Sequence, residues 1–149
     1  MQNSYIPNID LSKLVSEGIN SEHSKKVANE IKKASEEIGF FTVTNHGIPL
    51  TKIDTLLNTC RKFFYLPESD KIKIAPKKWN PNTETVYRGY FPSSVNGKEG
   101  LDIGDPRLTK DMQDLISKEK FEVNHDMSYL DPQWQFTIND YFDELHNLG

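Results

Sequence analysis

The chain has 149 residues, 36% of them hydrophobic and 11% aromatic, with 22 acidic residues against 18 basic and a formal net charge of −4. That length sets a ceiling of one domain, and a pI near 5.6, with lysines spread along the chain, argues against nucleic acid as a partner. A mean hydropathy of −0.66 and the lack of any run of about 18 apolar residues argue against a membrane-spanning helix. Residues 1–20 have neither the basic start nor the apolar stretch of a signal peptide, and Cys60 has no second cysteine to bridge, so a cytoplasmic, reducing location is expected. The hydrophobic share falls below the usual ~45% of soluble domains, which points to an incomplete core.

Residues 6–11, Ile-Pro-Asn-Ile-Asp-Leu, alternate apolar and polar side chains around a proline and predict a short edge strand, because proline removes a ladder donor. Val27, Ile31, Ala34 and Ile38 follow at helical spacing, with lysines and glutamates on the other face. Ser21 or Asn20 can cap this helix, and Gly39 stands where a left-handed residue stops it. Residues 40–44, Phe-Phe-Thr-Val-Thr, predict a buried strand, and Asn45-His46-Gly47 supplies turn chemistry after it. A second helix carries Ile53, Leu56, Leu57, Cys60, Phe63 and Phe64 on one face and ends at Leu66-Pro67.

One further short helix is expected over residues 68–74, a loop over 76–84, and a strand over 85–91 with Gly89 inside it, the usual mark of a bulge or of close approach. Residues 92–131 are mostly connection, with one extended piece at 101–103. A last helix has Asp131 as its cap, Pro132 at its first helical position and a stripe of Phe136, Tyr141, Phe142, Leu145 and Leu148.

The chemical inventory is thin. The four histidines, His23, His46, His125 and His146, are too far apart in sequence to share one face of an element, and a zinc site with one cysteine is unfavourable. No phosphate-binding glycine loop of either common pattern occurs. Cys60 reads as a packed, inert thiol and His46 as a turn-holding residue. Lys71, Lys73, Lys77 and Lys78 beside Trp79 read as a solvated basic face. Arg88 stands apart: it is a strand arginine beside a glycine and between two tyrosines, able either to pair with a ligand carboxylate or to be tied to the acidic surface.

Taken in order, the 6–11 strand, the run Gly-Phe-Phe-Thr-Val-Thr-Asn-His-Gly-Ile-Pro at 39–49, Phe-Phe-Tyr-Leu-Pro at 63–67 with Lys71, Arg-Gly-Tyr at 88–90, and Lys-Glu-Gly-Leu-Asp-Ile-Gly at 98–104 form a pattern. It resembles the N-terminal region of the isopenicillin N synthase-like Fe(II)- and 2-oxoglutarate-dependent dioxygenases. The resemblance implies a mixed α/β fold of amphipathic helices with a few short strands, which in the family packs on a double-stranded β-helix (jelly-roll) barrel.

The family's iron is held by two histidines and a carboxylate, the first pair reading His-x-Asp. Here the residue two beyond each histidine is Lys25, Ile48, Met127 or Leu148, so no such pair exists, and Arg107-Leu108-Thr109 only echoes the family's 2-oxoglutarate arginine motif. The resemblance therefore implies that residues 1–149 form a single N-terminal region with the catalytic jelly-roll expected beyond residue 149. Fe(II) and 2-oxoglutarate would serve the full-length protein, with no catalytic or metal-ligating residue in this chain and none of either cofactor bound by the chain alone. Arg88 and Tyr90 match positions that can face a small-molecule substrate. The isolated chain is expected to self-associate through exposed apolar surface, because four short strands cannot cover three apolar helix faces. The alternative is a stand-alone, non-catalytic binding module derived from the same family.

Overall fold

The computed structural model describes residues 5–93, 97–106 and 124–149. The expected Arg107-Leu108-Thr109 echo lies outside these residues. The chain divides into two compact units, one of Met1–Pro49 with Leu148–Gly149 and one of Leu50–Asn147.

In the first unit, β1 (Asn8–Asp10) pairs in parallel with β2 (Thr42–Thr44), with Ile9 opposite Val43. Parallel pairing demands a crossover, supplied by α1 (Ser12–Glu17) and α2 (Glu22–Glu37). The Ser21 side chain accepts the Ser24 N–H at 3.2 Å, and Gly39, at φ +84°, donates back to the Ala34 carbonyl at 3.0 Å, closing the helix as its spacing predicts. Ile9, Leu11, Val27 and Ala34 are the buried core, with Ile31, Val43 and Leu148 against it. α1 was not anticipated from the sequence; it is a single six-residue segment, too short to show a period.

The expected buried strand at 40–44 needs correction. Pairing begins only at Thr42, and Phe40 is 73% exposed. The reason is that β1 offers only three residues of ladder, so Phe40 and Phe41 lie outside the paired segment, and Phe40 stays largely uncovered.

The second unit begins with α3 (Leu50–Phe64), α4 (Glu68–Lys71) and a 3₁₀ turn (Ile72–Ile74). β3 (Gly89–Phe91) then pairs antiparallel with β4 (Gly100–Asp102), and α5 (Trp134–Leu148) closes the order. Its core is Phe63, Ile74, Ala75, Tyr90, Met127, Trp134 and Ile138. The strand expected over 85–91 is shortened to its last three residues because β4 provides only three partners.

The last helix also differs from expectation. The Asp131 carboxylate accepts the Gln133 N–H at 2.9 Å, an Asx turn that holds Pro132 outside the helix. Regular helix starts at Trp134; its buried residues are Trp134, Thr137 and Ile138, Phe142 of the expected stripe packs against the core, and Phe136 is 68% exposed. The described residues therefore give a mixed fold of helices and a few short strands, without a closed barrel. No helix among them is long and apolar enough to cross a membrane.

Candidate functional site

The sequence's two candidate residues, one in β3 and one just before it, lie in different environments. The Tyr90 side chain is driven inward by strand alternation, is 2% exposed, and stacks edge-on against Phe63 at 5.9 Å. Its hydroxyl donates to Glu99 Oε2 at 2.9 Å. Lys71, expected on a solvated basic face, instead lies buried beneath it: Nζ donates to the same Glu99 oxygen at 2.5 Å and to the Phe64 carbonyl at 3.2 Å, and sits 5.0 Å from the Tyr90 ring centre. The correction comes from a residue 28 positions away, which no local charge pattern reveals. Lys73 does remain exposed, paired with Asp70, and Lys78 lies over the Trp79 ring.

Within this cluster, the Lys71 hydrogen bond holds the Glu99 carboxyl below its ordinary value, outweighing the upward push of burial, and Tyr90 adds to the lowering. Burial alone would lower Lys71, yet Glu99 reverses that and the net shift is upward. Burial, then the bond to Glu99, raises Tyr90. A carboxyl depressed in the folded state stabilises the fold above its unfolded pKa, and that contribution is lost as pH falls through the depressed value. A raised lysine contributes below its unfolded pKa and loses that contribution as pH rises through the raised value. Wild-type chain is therefore expected to melt higher than Glu99→Gln at about pH 7 and to lose that advantage as the pH falls through the depressed Glu99 value. A difference constant across the range would contradict the pairing.

Arg88 immediately precedes β3. Its Nη1 donates to Asp102 Oδ1 at 2.7 Å, the two side chains being 26% and 44% exposed. Gly89 has φ +112°, and a Cβ built on it would fall 1.9 Å from the Ile74 carbonyl oxygen, so this glycine is required for the strand to cross the 3₁₀ turn. Beyond β4, the Asn124 side chain accepts the Gly104 N–H and donates to the Gly104 carbonyl, both at 2.8 Å. A cavity of about 20 Å³, the size of a single water, lies among Gly89, Asp102, Asn124, His125 and Trp134. Asp102, Gly104 and Asn124 were not identified from the sequence, because their roles arise from contacts 14 and 20 residues apart.

The histidines are dispersed. His23 Nδ1 lies 2.7 Å from Glu17, His46 Nδ1 accepts the Ile48 N–H at 3.1 Å and so holds its turn, and His125 Nε2 lies 3.3 Å from the Thr85 hydroxyl. Among the described residues no three histidine, cysteine, aspartate or glutamate side chains converge to hold a metal ion. The donors among the described residues do not fit the facial triad of a non-haem iron centre. Cys60 is half-buried, and burial pushes its thiol up, away from the reactive thiolate.

Residues 6–141 match the family model described as non-haem dioxygenase in morphine synthesis, N-terminal. Among similar curated proteins, the 2-oxoglutarate-dependent dioxygenase tropC of Talaromyces stipitatus is 34% identical over 90 residues, covering 60% of this chain and 27% of that protein. Isopenicillin N synthase of Streptomyces griseus is 31% identical over 98 residues, 66% of this chain and 28% of that enzyme. The 1-aminocyclopropane-1-carboxylate oxidase of Dictyostelium discoideum is 44% identical over 105 residues, 62% of this chain and 27% of that enzyme. The chain belongs to the N-terminal region family of the isopenicillin N synthase-like Fe(II)- and 2-oxoglutarate-dependent dioxygenases. It spans little more than a quarter of the length of these three relatives.

Proposed function

We propose that this chain is the N-terminal, substrate-facing region of a longer cytoplasmic oxygenase that oxidises a small molecule, with the jelly-roll barrel and the iron and 2-oxoglutarate sites in the remainder. The observation that carries this reading is the family match over residues 6–141 in a chain that spans only 27% of the dioxygenase tropC. Exposed Phe40, Tyr65 and Phe136 support a core that is completed by further protein, and self-association of the chain when that protein is missing.

In this reading Arg88 meets a carboxylate of the substrate. A planar guanidinium matches that group with two parallel donors. Tyr90 supports the same strand from within, its ring packed and its hydroxyl held by Glu99. Nothing in the composition favours nucleic acid or membrane as a partner.

In the longer protein, Arg88→Ala is expected to raise the KM for substrate about 10- to 100-fold, the equivalent of losing one charge-assisted hydrogen bond of about 1.5–3 kcal/mol. Iron and 2-oxoglutarate affinity should stay near their starting values. Steady-state kinetics with a parallel thermal melt separates the alternatives: an unchanged KM with a small shift in Tm would return Arg88 to a purely structural role.

A further inference from the structure

We infer that Asp102, Gly104 and Asn124 form a seat that holds the Arg88 guanidinium in one orientation, which makes them positioning residues for the carboxylate recognition proposed above, on which this inference rests. Three contacts among the described residues contribute to the seat. Asp102 Oδ1 accepts from Arg88 Nη1 at 2.7 Å. A Cβ built on Gly104 would fall 2.8 Å from Arg88 Nε and 2.9 Å from Cζ and Nη2, so the guanidinium lies directly on the Gly104 backbone. Asn124 then closes a reciprocal pair of 2.8 Å bonds on the N–H and carbonyl of Gly104, fixing the surface on which the guanidinium rests.

The glycine separates this seat from ordinary packing. Gly104 is outside the left-handed region, so an L-residue can adopt its backbone conformation, and all three atoms nearest a Cβ there belong to the mobile end of Arg88. At Gly89, by contrast, the nearest atom is a backbone oxygen. Alanine at 104 should therefore displace the guanidinium and leave the fold in place. An arginine already held in one rotamer loses less freedom when a ligand binds than one that must be ordered, which is the use of such a seat. A planar carboxylate is the ligand chemistry that profits most, because its two oxygens need both guanidinium donors in register.

The full chain has three arginines, Arg61, Arg88 and Arg107, so arginine-labelled protein yields a simple side-chain ¹⁵N spectrum, and Arg88→Lys identifies the Arg88 signal by its loss. Separate, slowly exchanging Arg88 Nη signals are expected in the wild type and averaged ones in Asp102→Asn and Gly104→Ala, with the Gly104→Ala melting midpoint moved by less than about 3 °C. An averaged Arg88 in the wild type would overturn the seat. So would an unchanged spectrum in both variants, or unfolding of Gly104→Ala. Sodium acetate serves as the carboxylate probe: it should shift the Arg88 signal, with a midpoint about fivefold higher in Gly104→Ala. Acetate that leaves Arg88 unmoved while the Nη signals respond to the variants as expected would support the seat and count against the carboxylate reading of Arg88.

Discussion

Replacing Gly89 with alanine is expected to cost the chain more than about 3 kcal/mol, the range reached only by changes that the surrounding structure cannot absorb. Two independent reasons coincide at this residue. Its φ of +112° lies where an L side chain is strained, and a Cβ would stand 1.9 Å from the carbonyl oxygen of Ile74. That oxygen belongs to the 3₁₀ turn between α4 and the loop, and both neighbours of the clash, the Ile74 and Tyr90 side chains, are core. Moving the turn away would open the core, and moving the strand would break its register with β4. Urea unfolding of the full chain measures the effect, and a loss below about 1 kcal/mol would contradict the placement of β3.

Phe63→Ala should be of similar size, about 3–5 kcal/mol, the usual range for truncating a buried aromatic. Phe63 is 1% exposed, and its ring stands 5.2 Å from that of Phe64, 5.9 Å from Tyr90 and 6.1 Å from Trp134. It thus ties α3, β3 and α5 into one cluster, and its removal leaves a cavity among residues already held from other sides. Phe63→Leu should cost clearly less, because it returns most of the lost volume. Equal urea midpoints for the two variants would mean that the ring contacts contribute little.

How much of this was legible in the sequence differs by element. α2 could be read nearly to the residue, since Ser21, the Val27-Ile31-Ala34 spacing and Gly39 are local signals that all agree. The ends of the strands were less legible, because a strand extends only as far as its partner: β2 and β3 each stop at three residues for that reason. α5 begins at Trp134, after the Asx turn at Asp131, and of its expected stripe Phe142 packs against the core while Phe136 does not.

At the candidate site, Arg88 could be singled out from its glycine and tyrosine neighbours. Its partners could not, since Asp102 and Gly104 meet it, and Asn124 meets Gly104, only through the return of the chain. Lys71 shows the same limit from the other side: four lysines in eight residues read as a wet surface, and only the distant Glu99 makes one of them internal. The family pattern was legible because its motifs are turns, caps and short strands that depend on near neighbours.

The proposal that this chain is one region of a longer oxygenase is tested most directly by sequencing the messenger RNA that encodes it past the codon for Gly149. The reading frame is expected to continue into strands carrying a His-x-Asp pair and a later histidine, the iron-holding set that the described residues do not provide. A stop codon directly after Gly149 in the mature message would contradict the account and favour a stand-alone binding module.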